Sequence, residues 1–210
     1  PILMSHLGRP KGDDPEFSLS HIVKDVERVL GVKVKFTNEV LGEKTSAIVE
    51  NSGPGEIVLL ENLRFCPEEK NGDLRFAEEL SKLGDSYVND AFGTAHRAHA
   101  STSIIASFFP KNKFAGELLL KEVESIHKVM NTGKKPVLGI LGGAKVSSKI
   151  TIINNIMDKV DKLIIGGGMA FTFIKAQGGQ IGDSICEDDK TSLAVSILEK
   201  AKEKKVEIYL

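Results

Sequence analysis

Short apolar runs alternate with amphipathic, helix-period stretches from one end of this 210-residue chain to the other, and few folds accept that rhythm. The apolar runs fall at residues 2–5, 34–37, 57–63, 87–91, 137–141, 163–165 and 206–210. Between them, Ser18 can cap a helix that places Ile22, Val23, Val26, Val29 and Leu30 on one face and stops at Gly31. Asp73 starts a second, with Phe76, Ala77, Leu80 and Leu83 inward and Gly84 at its end. Asp188 or Asp189 opens another through Leu193, Val195, Leu198 and Ala201. Strands that alternate with helices imply parallel sheets covered by helices, an α/β architecture.

One stretch breaks the rhythm. Residues 117–130 predict a long helix with Leu118, Leu119, Val123, Ile126 and Met130 at helical spacing. The loops before it are rich in Arg and His, and those after it are rich in Gly and Lys. This contrast suggests two Rossmann-like parallel-sheet domains, residues 1–115 and 134–210, joined by a helix over 116–133. A single continuous domain is the plainer alternative.

With a net charge of -1, any attraction for anions must come from local clustering. There is no basic stripe of the kind nucleic-acid binders carry, and no leader pattern at residues 1–4. The most apolar stretch, residues 163–174, contains three glycines and is shorter than the roughly 20 residues that span a bilayer. Cys66 and Cys186 lack metal-ligand spacing and read as reduced thiols of a cytoplasmic protein. Both ends of the sequence fall inside apparent strands, from which we expect an internal fragment with both domains truncated.

The basic residues are unevenly placed. His6 and Arg9 follow the first strand, Arg64 follows the third, and His96, Arg97 and His99 follow the fourth. In a parallel sheet these loops share the carboxyl edge, where ligands bind. Three guanidinium groups there suit a phosphate or carboxylate, which Arg grips with two parallel N–H bonds. Taken singly, each Arg is as well read as a solvated or helix-capping residue. The His96-x-x-His99 spacing has no third or fourth ligand nearby, so no metal is expected.

A second signal lies at Gly139-Ile140-Leu141-Gly142-Gly143-Ala144-Lys145, a strand running into a glycine turn. A helix is expected over 146–159, with Lys145 and Lys149 on one face of its first turn. Glycine backbone N–H groups can approach phosphate oxygens, and two ammonium groups can neutralise a phosphate chain. The segment is not a Walker A loop, because Ala144 and Val146 replace the required Gly and Ser/Thr. A second turn, Gly166-Gly167-Gly168, fails the dinucleotide fingerprint at Phe171 and could simply pack a helix on a sheet.

Five segments, in order and across the whole chain, resemble the phosphoglycerate kinase family. They are Ser5-His6-Leu7-Gly8-Arg9-Pro10, Glu61-Asn62-Leu63-Arg64-Phe65, the run from Asn89-Asp90-Ala91 to His96-Arg97-Ala98-His99, Leu141-Gly142-Gly143-Ala144-Lys145-Val146, and Ile165-Gly166-Gly167-Gly168-Met169. The resemblance implies reversible phosphoryl transfer from 1,3-bisphosphoglycerate to ADP, giving 3-phosphoglycerate and ATP in glycolysis. It also implies two domains closing about a hinge, Mg with the nucleotide, a cytoplasmic location and a monomeric parent enzyme.

By motif, His6, Arg9, Arg64, His96 and Arg97 would bind the triose, and Gly142, Gly143, Lys145, Lys149, Gly166 and Gly167 the nucleotide. Lys145, Lys149 and Arg97 would be catalytic. Ser148 departs from the family pattern, which commonly has Asp there. The family's opening Asp-x-Asn strand with its following Arg, and its late Gly-Gly-Gly-Asp loop, are not among these 210 residues. We therefore expect this chain alone to be inactive as a kinase. The rival reading is a non-catalytic anion-binding module.

Overall fold

The computed structural model describes residues 1–210, which divide into two compact units, Pro1–Glu122 and Val123–Leu210. In the first unit, β1 (Ile2–Leu3), β2 (Val34–Phe36) and β3 (Ile57–Leu59) form a parallel sheet in the order β1-β3-β2. A second parallel pair joins β4 (Tyr87–Asn89) to β5 (Lys113–Ala115). The strands are shorter than the apolar runs suggest, because the chain leaves each strand early to build the loops described below. The sequence reading missed β5, whose three residues are all exposed and so carry no alternation.

Four helices accompany these strands: α1 (Val23–Leu30), α2 (Glu43–Glu50), α3 (Pro67–Asn71) and α4 (Leu74–Ser81). Asp73 caps α4 through the Phe76 N–H at 2.8 Å, and Phe76, Ala77 and Leu80 are buried as expected. The helix ends at Ser81, before Gly84. In α1 the apolar face is only half used. Val23 and Val26 pack beside Leu19, whereas Val29 is 74% exposed. The main core of the unit gathers Val58, Leu60, Leu63, Leu80, Tyr87 and Ile105 among its buried residues. Between β1 and β4 runs an open slot of about 670 Å³, lined by Ile2, Leu3 and Met4 on one side and Tyr87, Val88 and Asn89 on the other.

The long helix α5 (Glu117–His127) continues as a π-helical turn over Lys128–Thr132. Its start is fixed within the first unit by Asp90, whose Oδ1 accepts from the Leu119 N–H at 2.8 Å. The boundary between the two units falls inside this helix, at Glu122 and Val123. Leu118, Val123 and Ile126 are each about half exposed, so the apolar spacing seen in sequence is not fully covered.

The second unit contains β6 (Leu138–Gly142), β7 (Lys162–Gly166) and β8 (Glu207–Tyr209) as one parallel sheet in the order β6-β7-β8. It also holds α6 (Ile150–Ile156), α7 (Gly168–Ala176) and α8 (Thr191–Glu203). Ile153, Met157, Leu163, Ile165, Phe173 and Ile197 form the centre of its core. The helix expected over 146–159 is corrected here. Val146 turns fully into the core, residues 147–149 make a turn, and the α-helix starts only at Ile150. Lys145 thus stands on a loop and Lys149 at the helix N-cap, not together on a helical face.

Candidate functional site

In the first unit three loops leave the carboxyl ends of parallel strands carrying the basic residues. His6 and Arg9 follow β1, Arg64 follows β3, and His96 and Arg97 follow β4. The loop after β3 is anchored by two buried polar residues. Asn62, fully buried, donates to the carbonyls of Leu7 at 2.9 Å and Phe17 at 2.8 Å, and accepts from the Arg64 N–H at 3.0 Å. Glu61 accepts from Ser18 Oγ at 2.7 Å and from the backbone N–H groups of Leu19 and Asn62. One pair of adjacent residues thereby ties the β1 loop, the segment around Phe17 and the Arg64 turn together. The Arg64 guanidinium completes the tie by donating to the Gly8 carbonyl at 2.6 Å.

Burial, then the positive charges of Arg97 and Arg9, pull the Arg64 pKa below the usual guanidinium range, against an opposing pull from Glu69. Burial also lowers the His6 pKa, with Arg64 and His99 acting in the same direction. His99 is likewise held towards its neutral form, first by burial, although Glu69 opposes this. Arg97 Nε donates to His96 Nε2 at 3.2 Å.

The arginine ion pair of this chain is Arg28 with Asp25, and none forms at Arg9, Arg64 or Arg97. The Nε–H of Arg64 is buried without a hydrogen-bond partner. Buried polar groups are nearly always paired, so this donor stands out. The structure therefore brings His6, Arg9, Arg64, His96 and Arg97 into one neighbourhood suited to an anion with several acceptor oxygens.

The second unit builds its feature differently. Gly142 and Gly166 are register partners at the ends of β6 and β7, so both glycine turns open at one sheet edge. The turns then pack on each other backbone to backbone. Gly143 O accepts from the Met169 N–H at 2.9 Å. Gly167 has φ 72°, and a Cβ there would lie 2.8 Å from Gly143 O. Close packing thus explains Gly167, whereas Gly142 faces open space. Lys145 and Lys149 flank this edge, and neither pairs with a carboxylate. Their loop is pinned by Glu187, which accepts from Ser147 N at 3.1 Å and Ser147 Oγ at 2.6 Å. Burial is slight there, and the Ser147 hydrogen bond holds the Glu187 carboxyl below its ordinary range.

Sequence reasoning missed Glu61, Asn62 and Glu187 as supports. Glu61 and Asn62 lay inside a segment already singled out, yet the partners that tie them to the other loops are 42 to 55 residues away and leave no local signal. No group of three or more His, Cys, Asp or Glu comes together in a way that could hold a metal ion. The residues at the glycine edge are lysines and backbone N–H groups, a donor set for phosphate oxygens and not for a cation.

Comparison with known proteins supplies the lineage. The family model described as "Phosphoglycerate kinase" matches residues 1–210. A phosphoglycerate kinase of Pseudothermotoga lettingae is 51% identical over 210 residues, which is 100% of this chain and 52% of that protein. A cytosolic phosphoglycerate kinase of Nicotiana tabacum is 48% identical over 209 residues, again covering 52% of its length. The solved phosphoglycerate kinase of Coxiella burnetii superposes with TM-score 0.82 at 40% identity, over 100% of this chain and 52% of the solved one. That of Pyrococcus horikoshii gives 0.80 at 26% identity, over 99% and 54%. The chain spans about half the length of the relatives it matches. It belongs to the phosphoglycerate kinase family.

Proposed function

We propose that this chain carries the triose-binding portion and the beginning of the nucleotide-binding portion of a glycolytic phosphoglycerate kinase. The whole enzyme moves a phosphoryl group reversibly between 1,3-bisphosphoglycerate and ADP. The observation that carries this reading is the set of three arginines without ion-pair partners, with the orphaned Arg64 N–H among them. His6, Arg9, Arg64, His96 and Arg97 bind the phosphate and carboxylate of 3-phosphoglycerate. Lys145 and Lys149, with the backbone N–H groups of Gly142, Gly143, Gly166 and Gly167, meet the nucleotide phosphates. Such donors suffice for phosphoryl transfer, which asks for positioning and for positive charge on the equatorial oxygens.

In this reading residues 1–115 are the triose domain, 116–133 the helix between domains and 134–210 the nucleotide domain's opening part. The slot between β1 and β4, edged on each side by a parallel strand, supports a first domain with room for a further strand. In the same reading Mg comes with ADP or ATP. The location is cytoplasmic and the whole enzyme monomeric, with no nucleic-acid or membrane partner. No helix is long and apolar enough to cross a membrane.

The test is calorimetric titration of the chain with 3-phosphoglycerate and with ADP, beside a coupled assay of ATP formation. We expect saturable binding of 3-phosphoglycerate that weakens with salt, and turnover far below the roughly 1–100 per second of a kinase. Binding without turnover in a chain extended to full length would favour a non-catalytic anion-binding module instead. No binding of 3-phosphoglycerate would sink the assignment.

A further inference from the structure

The loop that bears His96 and Arg97 must be held from somewhere, because its tip is exposed and Arg97 lies in the field of like-charged Arg64. Its supports converge on α3. The Ala100 N–H donates to Glu69 O at 2.9 Å, Ser101 N to Glu69 Oε2 at 3.0 Å and Ser101 Oγ to Glu69 Oε1 at 2.7 Å. Glu69 is 3% exposed, and Ala100 and Ser101 are buried with it. A second contact lies at the end of the same helix. Gly72 adopts φ 64°, and any Cβ there would overlap the Ala98 carbonyl oxygen. On the other flank Tyr87 Oη donates to Ser101 O at 2.7 Å and Asn89 Nδ2 to Thr102 O at 2.9 Å.

Glu69 is an odd choice for this place. The nearest cationic candidate, His99 Nδ1, is 3.8 Å from Oε1, beyond hydrogen-bond range, and burial keeps that ring towards neutral. A negative charge close to an anion site opposes the ligand. What the carboxylate contributes there is geometry: its two oxygens and the Glu69 carbonyl take three donors from two consecutive loop residues.

We propose that Glu69 is the positioning residue of the anion site: it fixes the 96–101 loop so that Arg97 and His96 stay beside Arg64, and it never touches the ligand. This rests on the reading of the basic cluster as the 3-phosphoglycerate site. It separates the two properties of the carboxylate. Glu69→Gln removes the charge and keeps a similar hydrogen-bonding shape, whereas Glu69→Ala removes both.

The experiment is calorimetric titration of 3-phosphoglycerate into the full 210-residue chain and its E69Q, E69A, R97A and E69A/R97A variants, each checked by circular dichroism. We expect E69A to weaken binding about tenfold or more, and E69Q to bind within about threefold of the parent or tighter. In the R97A background, E69A should cost under about threefold, because the loop has lost its charged group and keeps only His96 to position. Equal losses for E69Q and E69A would assign the effect to charge and overturn the proposal. So would unchanged affinity in E69A, or a full additive loss in the double variant. Should E69A fail to fold, Gly72→Ala, which displaces the same loop without altering charge, takes its place and is expected to weaken binding likewise. Unchanged affinity in folded Gly72→Ala would then overturn it. A parent chain that binds no 3-phosphoglycerate removes the anion-site reading itself, and the proposal with it; parent binding with indifferent variants removes the proposal alone.

Discussion

The two regions proposed to face phosphate hold their donors in opposite ways. In the first unit the donors are guanidinium groups on long loops, and buried side chains (Glu61, Asn62 and Glu69) clamp those loops from beneath. In the second, glycine backbones lie against one another, and the charged groups Lys145 and Lys149 stand at the margin of the packing. In the proposed reading the first arrangement would fix several planar forks around one small ligand. The second would offer backbone N–H groups and two point charges to a chain of phosphates. Arg and Lys suit these tasks in that order. The comparison teaches that side-chain anchoring and backbone close approach are separable routes to anion recognition, and each should fail in its own manner.

The clamp should break most severely at Asn62. Asn62→Ala strips partners from two backbone carbonyls and one N–H in a buried place, and we expect a loss of about 3–4 kcal/mol, at roughly 1–3 for each unsatisfied group with partial relief by water. Urea unfolding monitored by amide exchange should show the loss in residues 1–122 and not in β6 or β7. Equal destabilisation of both units would contradict the separation drawn here.

The backbone route should break at Gly167. Gly167→Ala adds a side chain at φ 72° and a Cβ at 2.8 Å from Gly143 O. This extended positive-φ backbone, with ψ −165°, is nearly confined to glycine and costs another residue roughly 1–3 kcal/mol; overpacking costs roughly 1–3, so about 2–3 kcal/mol is expected after relaxation. Amide exchange should quicken in α7 and around Gly143 and Met169, leaving the first unit's protection intact. A stability within 0.5 kcal/mol of the parent (about the ordinary surface scatter) would show that the turns do not bear on each other.

A smaller effect distinguishes the units by pH. His6 and His99 have folded-state pKa values below the ordinary 6.5, with burial the largest cause for each. The unfolded chain therefore takes up their protons first as pH falls. Their contribution to stability is complete above about pH 6.5 and is lost as pH drops through the lowered folded values. In the second unit the perturbed acids include Glu187 and Asp161, lowered respectively by the Ser147 side-chain bond and by the Val137 N–H. Those contributions persist until the pH falls below the ordinary carboxylate range. Exchange measured between pH 7.5 and 5.5 should show the first unit softening first, and the reverse order would refute the assignment.

Much of this could be read from the sequence because strands of parallel sheets print as apolar runs, even where one face is open, as at Ile140 of β6, 69% exposed. Seven of the eight strands appear that way, and the eighth, β5, is an exposed Lys113-Phe114-Ala115 with nothing to mark it. The basic loops were legible as loops that follow strands, but the single sheet edge expected for them is corrected: β1 and β3 share one sheet, whereas β4 pairs with β5 in another. The geometry at Lys145 was not legible. The apolar period of Ile150, Ile153 and Ile156 continues backwards through Val146, so periodicity alone cannot reveal that Val146 enters the core from a turn. Glu69 was invisible for a different reason: in Pro67-Glu68-Glu69-Lys70 it looks like any exposed helical acid, and only the arrival of Ala100 and Ser101 from 31 and 32 residues later buries it.

The central claim is that the three unpaired arginines form the triose anion site. Its most direct test is a titration of isotopically labelled chain with 3-phosphoglycerate, following every backbone amide by NMR, with Arg97→Ala as the control. The account predicts shifts concentrated at His6, Arg9, Arg64 and residues 96–101, none at residues 145–149, and an affinity lower in R97A by about 1.5–3 kcal/mol, the loss of a charge-assisted hydrogen bond. Shifts centred on the Lys145 turn, or an R97A variant that binds as the parent does, would contradict it.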